Sequence, residues 1–498
     1  MDVIFERKTV SCLDTALQQV QNSEQTLELK LPAGMPDVGQ ILAAWGQPIL
    51  RSKEWREDQV LFSGGMMVWV LYAPEDGSEE QCVQGWIPFQ MRWDLPENTA
   101  EGILRIRCLT RFVDGRSTSP GKILVRAGMA AMAEAFIPRE LETAEAKERP
   151  GKVALLEKTY PVRLLKEAGE KTFRIDEELY LPDSVPDMKQ LISWRISSRI
   201  TDQRVLADKV VLRGHCDLHV LYRSDAGQFH SWDFELPVSQ FADLRGEYGP
   251  DARVETVLMP TALELELLEN GNLDLRGGMT AQYLITDKQA ITLVEDAYSP
   301  EWDLTVKREM ITLPSVLENR RENIYPEQTV SAAANLTADL QFLPDFPRQH
   351  RTDGEIQLEY PGQFQLLYYG EDGRLQGATS RWEGKEKLPA DENTYVTAVP
   401  MSAEAQASTG NGKILVKAEV PVELTAMAQQ QLSMVTEVEL GQQQKPDPDR
   451  PSLILRRAGY SSLWEIAKAA GSTVEAICRA NNLNGEPDPE QMLLIPVP

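Results

Sequence analysis

The sequence predicts an all-β chain of repeated antiparallel sheet or sandwich modules, about 150 residues each, in three copies with the third degenerate, ending in a small βααβ domain. Three observations carry this. A motif recurs at a spacing of 150 residues, apolar and polar residues alternate with period two inside each copy, and past residue 450 the spacing changes to that of helices.

Length comes first, because 498 residues exceed one compact core, and roughly 100 to 200 residues per domain gives three to five units. With 42% hydrophobic and 26% charged residues and no long biased tract, the chain has the composition of a folded protein. Its 51 basic against 76 acidic residues leave a formal charge of −25, which repels phosphate backbones and anionic headgroups and argues against a nucleic-acid partner. The opening MDVIFERKTVSCLDTALQQV sets Asp2, Glu6, Arg7 and Lys8 around a very short apolar stretch, unlike a secretory signal. No run of about 18 uncharged apolar residues could span a bilayer, so the expectation is a cytoplasmic chain without membrane insertion. Cys12, Cys82, Cys108, Cys216 and Cys478 are scattered and odd in number, as suits reduced, structural or incidental thiols.

The repeat begins with LPAGMPDVGQIL at Leu31 and LPDSVPDMKQLI at Leu181, where Leu31, Pro32, Pro36, Asp37 and Gln40 recur as Leu181, Pro182, Pro186, Asp187 and Gln190. The register holds through Leu71-Tyr72 and Leu221-Tyr222, and through GKILVRAGM at Gly121 and GNLDLRGGM at Gly271. A third copy is visible only in its second half, in QLLYYGEDG with Leu367-Tyr368 and in GKILVKAEV from Gly412. Its Leu-Pro-x-x-x-Pro-Asp opening is lost. In the other two copies that opening fixes φ at two prolines, and the following Asp can accept backbone donors, so it reads as a rigid structural corner.

Within copy two, Val210, Leu212, Gly214, Cys216, Leu218, Val220 and Tyr222 share one face, and Arg213, His215, Asp217 and His219 share the other. Copy three alternates in the same way: Ile356, Leu358, Tyr360, Phe364, Leu366 and Tyr368 against Glu355, Gln357, Glu359, Gln363 and Gln365. One face is expected buried and the other solvated. Glu75-Asp76-Gly77 and Glu371-Asp372-Gly373 read as hairpin turns in which Gly supplies the positive φ.

After the polar, Pro-rich stretch from Gly441 to Pro451, SLILRR reads as a strand. Ser461 or Ser462 then caps a helix bearing Leu463, Ile466, Ala467 and Ala470 on one face and stopped by Gly471. Thr473 caps a second helix with Val474, Ile477 and Cys478, and MLLIPVP closes the domain as a strand. The expected division is 1–150, 151–300 and 301–440 for the modules, 441–450 for a linker, and 451–498 for the last domain.

The segment LWEIAKAAGSTVEAICRANNLNGEPDPEQMLLIP resembles the LysM family across its helices and its Asn-Asn-Leu stretch. It departs in the first loop, where the family commonly carries Pro-Gly-Asp-Ser/Thr and this chain has Ala458-Gly459-Tyr460-Ser461-Ser462. The resemblance implies a groove walled by Gly459, Tyr460, Ser461, Ser462, Leu463 and Trp464 on one side and Asn482, Leu483 and Asn484 on the other. The 150-residue repeats, with L-P-x-x-x-P-D-x-x-Q and V-L-Y-x-x-x-x-G, resemble the SPOCS module, and SPOCS repeats followed by LysM resemble the SipL-like spore morphogenesis proteins. That resemblance implies a protein of the mother-cell cytoplasm at the developing forespore surface. Its partner would be a spore-coat morphogenetic ATPase (SpoIVA-like) or another coat protein, with a peptidoglycan or N-acetylglucosamine glycan as the alternative ligand.

No catalytic set is apparent, and no cofactor or metal is called for. Phosphate loops, Gly-x-Ser-x-Gly elbows and His-Glu-x-x-His are missing from the sequence, and acids such as Glu264 and Glu266 fit polar strand positions. His215, Asp217 and His219 invite a metal reading, but along a strand at about 3.3 Å per residue the two imidazoles lie roughly 13 Å apart, too far to share a zinc without outside help. Copy one has Gly65, Met67 and Trp69 there. Cys216 faces the opposite, buried side, and Ile466 reads as core. Tyr460, on a loop beside Gly459, and Trp464 are the candidate recognition aromatics.

Overall fold

Period-two alternation over long stretches makes long strands, and the computed structural model, which describes residues 3–97, 99–148, 153–410, 412–444 and 451–497, is built almost entirely of them. The first copy comprises β1 (Ile4–Lys30), β2 (Val38–Arg56), β3 (Gln59–Pro74), β4 (Gln81–Asp94), β5 (Ile103–Ser119) and β6 (Lys122–Glu148). Its first and last strands pair antiparallel in a sheet of order β1-β6-β5, and the intervening strands form a meander β2-β3-β4. The second copy repeats this with β7 (Ala154–Leu179), β8 (Met188–Ser224), β9 (Phe229–Tyr248), β10 (Arg253–Leu267) and β11 (Leu273–Tyr298), in sheets β10-β11-β7 and β8-β9. Here β8 reverses on itself at Ala207, whose φ of 51° is matched by the positive φ of Glu57 at the β2–β3 turn, and Thr201 Oγ1 in its first half donates to the Arg213 carbonyl in its second, 3.3 Å away.

The third copy contains the first half that sequence comparison did not show. It runs through β12 (Trp302–Ile324), β13 (Glu327–Val330), β14 (Ala334–Pro344), β15 (Arg348–Thr352), β16 (Glu355–Gly370), β17 (Leu375–Pro389), β18 (Thr394–Pro400), β19 (Glu404–Gly410) and β20 (Lys413–Gln443). β12 and β13 together take the place of β1, pairing in succession along β20; β14 and β15 both pair with β16, in the place of β2. Pro326 and Pro347 stand in the two interruptions, where a residue without an N–H cannot continue a ladder. A shared irregularity ties the copies together. The pairing skips Ala16 in β1, Lys166 in β7 and Leu317 in β12, the same position of each outer strand.

These three outer hairpins pack against one another. Cys12, Val162 and Leu313, each at the same distance before the bulge, meet in one buried cluster with Leu141, Ile291 and Met434. Equivalent positions therefore converge from all three copies. All five cysteines are free thiols.

The two repeated motifs prove to be one device. The Pro32–Met35 turn is closed by the Met35 N–H donating to the Pro32 carbonyl (3.2 Å), and the Tyr72 hydroxyl donates to the Pro36 carbonyl (2.9 Å). Copy two repeats both bonds, Val185 to Pro182 (3.1 Å) and Tyr222 to Pro186 (3.0 Å). In copy three the corner is gone, and the retained Tyr368 donates instead to the Gln376 side chain at 3.1 Å. The hairpin turns are as expected, with Gly77 at φ 73° and Gly373 at φ 75°.

At the C-terminal end β21 (Leu453–Arg457), α1 (Leu463–Ala470), α2 (Val474–Asn481) and β22 (Met492–Pro496) give the predicted βααβ order. Part of the stretch expected as linker is strand: β20 continues to Gln443, paired with Trp302, and residues 445–450 lie outside the described residues, as do Asp2 and the expected boundary at 150. Among the described residues no helix is long and apolar enough to cross a membrane.

Because the tyrosine hydroxyl is the side-chain tie to each corner, Tyr72→Phe and Tyr222→Phe are each expected to lower stability by about 1 kcal/mol. A urea unfolding midpoint that stays at the parental value for both variants would show that the corner holds without the hydroxyl.

Candidate functional site

Polar side chains concentrate in two places: the loops of the C-terminal domain and the region where the three copies meet.

In the C-terminal domain the chain turns at Gly459, at φ 63°, and the turn carries Tyr460 outward with its side chain 100% exposed. Ser462 is the cap of α1: its hydroxyl accepts from the Glu465 N–H (3.2 Å) while Glu465 accepts from the Ser462 N–H (2.9 Å), a complete capping box. Three further bonds zip this loop to the one before β22: Ala458 to the Gln491 carbonyl, Gly459 to the Pro489 carbonyl, and the Leu463 N–H to Glu486. Leu463 lies in the core with Ile466, Ala467, Ile477, Leu493 and Ile495. Asn481, beside the candidate residues, is turned to β22, accepting from the Leu494 N–H (2.8 Å) and donating to its carbonyl (2.6 Å). Asn482 caps α2 in the left-handed region (φ 54°), and Leu483 packs partly against the core, so Asn482 and Asn484 are the exposed members of that wall.

Trp464 faces its own chain. Its ring stands edge-on to Tyr298 at the end of β11 (centroids 4.7 Å apart, planes at 76°), and its Nε1 donates to Asp296 at 2.9 Å. Lys468, one turn along α1, donates to the same carboxylate (2.7 Å), and Arg308 from β12 to its other oxygen (2.6 Å). Burial pushes the Asp296 carboxyl up, but the bonds from Lys468, Trp464 and Arg308 outweigh it and bring it down to about 2. Tyr298 completes the anchor by donating to the Ser472 carbonyl at 3.0 Å. The four-residue spacing of Trp464 and Lys468 places them on one helical face, which is the only trace of this contact in the sequence.

Where the copies meet, the expectation of a solvated face on β8 is corrected. His219 is enclosed: Nδ1 lies 2.7 Å from Asp233 and Nε2 2.9 Å from Asp339, a buried residue of β14 in copy three. Asp339 also accepts from Trp45 Nε1 of copy one (3.0 Å) and from Arg195 of copy two (3.2 Å). Burial alone would raise the Asp339 carboxyl, but Arg195 and His219 hold it well below the usual carboxylate range. Burial and Arg195 push the His219 imidazole down, yet Asp339 and Asp233 prevail and raise it. Gln365, also expected on a wet face, is buried too. Cys216 sits on the opposite, fully buried side as expected, its thiol pushed up to about 12 by burial, which suppresses the thiolate.

A second junction is made by Arg105 and Arg107 of β5. Arg105 grips Glu134 with two bonds (2.6 and 2.8 Å) and reaches Glu255 of copy two at 2.7 Å; Arg107 pairs with Glu255 and lies 3.6 Å from Glu423 of copy three. Burial, then repulsion from Glu255, pushes Glu423 up to about 7 against the pull of both arginines. Nearby, the buried Gln282 of β11 pairs with both backbone groups of Ile106 (2.9 and 2.7 Å), an amide serving as one rung of β-ladder between copies.

Two outcomes follow. The raised His219 means that its contribution is fully present below the ordinary value of 6.5 and is lost as pH rises through the higher folded value. The melting-temperature gap between parent and His219→Gln is therefore expected to be widest below pH 6.5 and to shrink above it; a gap independent of pH would remove the charge from the account. Separately, Trp464→Ala is expected to speed amide hydrogen exchange in α1 and at the end of β11 together, whereas faster exchange in α1 alone would mean that the two are not coupled.

Residues 187–266 match the family model described as SipL, SPOCS domain, and residues 461–496 match the LysM domain model. A search of curated proteins found no match. The first match spans β8, β9 and most of β10, including Arg195, His219 and Asp233 but not Trp45 or Asp339 of the same junction; the second covers α1, α2 and β22 with the loop between them. Both domains are binding modules rather than catalytic ones. In agreement with the resemblance read from the sequence, the chain carries a SipL-type SPOCS domain in its second copy and a LysM domain at its C-terminal end.

Proposed function

We propose that the chain is a non-catalytic scaffold or adaptor in endospore coat or envelope assembly, acting in the mother-cell cytoplasm at the forespore surface. In this reading the three copies form a body that fixes the position of the LysM domain, and the LysM domain docks on a spore-coat morphogenetic ATPase or another coat protein. The observation that carries it is the presentation of Tyr460: a fully exposed aromatic on a glycine turn, held by a domain whose own Trp464 is clamped to the body through Asp296. A large, stiff side chain offered from an anchored loop loses little entropy on contact, which is the character of an interface anchor. The polar chemistry of the body supports the same reading, since Asp339, His219, Arg105 and Glu255 are engaged in holding copies to one another.

A glycan reading is favoured by one feature, the exposed Asn482 and Asn484, in a domain family that commonly binds peptidoglycan. The two readings separate in one pair of measurements on the full chain. Against an immobilised, purified spore-coat morphogenetic ATPase, the parent is expected to bind and Tyr460→Ala to bind at least about tenfold more weakly, the loss typical of an anchor residue. Sedimentation with insoluble peptidoglycan is expected to leave the chain in the supernatant. Retention on peptidoglycan without ATPase binding would overturn the adaptor reading in favour of the glycan one.

A further inference from the structure

We propose that His215, Asp217 and Glu235 form a binding site for a divalent transition-metal ion, zinc by ligand preference, with an open coordination position facing the cleft between the copies. On β8 His215 and Asp217 are two residues apart and share a face; on β9 Glu235 stands directly opposite Asp217 in the antiparallel ladder. One ligand atom from each lies within 4.8 Å of the others, with His215 Nε2 3.7 Å from Asp217 and Nδ1 3.8 Å from Glu235. Along the strand alone His215 and His219 are too far apart to share an ion. The ladder supplies the missing ligand from the neighbouring strand, and His219 is already occupied by Asp233 and Asp339.

The three groups converge at ion-pair rather than hydrogen-bond distance. No described hydrogen bond joins them, although the His215 and Asp217 side chains are only 19% and 30% exposed. Zinc bonds of about 2.0 to 2.2 Å put ligand atoms roughly 3.3 to 3.5 Å apart, so binding requires the imidazole to turn one nitrogen toward both carboxylates from the present spacing of up to 4.8 Å. One imidazole and two carboxylates suit a borderline ion better than calcium or magnesium, and three protein ligands leave a fourth position free. The three residues line a cleft of about 790 Å³, which Thr256, a buried residue whose hydroxyl has no hydrogen-bond partner among the described residues, also lines. The set belongs to copy two alone: copy one has Gly65 and Met67, with Trp86 opposite, and copy three has Pro361 and Gln363, with Arg381 opposite.

The test is isothermal titration of the metal-free full chain with zinc chloride, together with visible absorption on cobalt(II) addition. The expected result is one ion per chain, with His215→Ala and Glu235→Gln each weakening binding at least about tenfold and His230→Ala and His350→Ala leaving it unchanged. Glu235 is 74% exposed, so Glu235→Gln keeps the test independent of any folding defect in the His215 variant, and metal-free melting temperatures check both. Absence of stoichiometric binding, or binding that both His215→Ala and Glu235→Gln leave intact, would overturn the proposal.

Discussion

A carboxylate buried between three sheets must be neutralised, and Asp339 draws its partners from the other two copies: Trp45 from the first, Arg195 and His219 from the second. Removing one partner from such a group leaves a buried charge uncompensated, at a cost on the order of 3 to 5 kcal/mol. The junction therefore requires all three copies at once. It is specific in a way that the apolar cluster around Cys12, Val162 and Leu313 is not, because apolar contacts of this kind tolerate sliding and a shared carboxylate does not. Arg105 and Arg107 of copy one, with Glu255 of copy two and Glu423 of copy three, make a second contact among all three copies.

The divergence of the repeats follows from this geometry. Copies equal in backbone would present equal groups where they meet, and equal charges placed there would repel. Instead the bulge positions Ala16, Lys166 and Leu317 keep the backbone equivalence while differing in chemistry, and Arg105 of copy one meets Glu255, its counterpart at the 150-residue spacing. Copy three departs furthest. Its loss of the Leu-Pro-x-x-x-Pro-Asp corner leaves Tyr368 to find Gln376, and its outer strand is broken at Pro326 and a meander strand at Pro347, yet the sheet order survives because β16 and β20 keep the alternation that buries one face.

What was legible in the sequence is what local periodicity and covalent neighbours encode. The alternation from Val210 to Tyr222, the hairpin glycines at 77 and 373, and the caps Ser462, Gly471 and Thr473 all act within a few residues, and each is found as expected. The first half of copy three was hidden because a strand interrupted by proline shows neither a sustained period nor a motif. The polar face of β8 misled for a different reason: polarity in a sequence does not distinguish water from a complementary polar group, and the group that covers His219 is contributed by Asp339, 120 residues away. Trp464 was legible as an exposed aromatic on an amphipathic helix, but its partners Asp296 and Tyr298 have no signature in the sequence.

The division of labour between body and tail rests on where conformational entropy has already been lost. Trp464, Lys468 and Tyr298 order the LysM helices against β11, so their surface is committed before any partner arrives. The loop on the far side of the same helix is ordered by the Ser462 capping box and by the bonds of Ala458, Gly459 and Leu463 to the loop before β22. Tyr460 stands fully exposed at the tip of this turn. A partner docking there, as proposed, would gain contact area without having to order the loop beneath it, and its orientation relative to the three copies would follow from the Asp296 anchor.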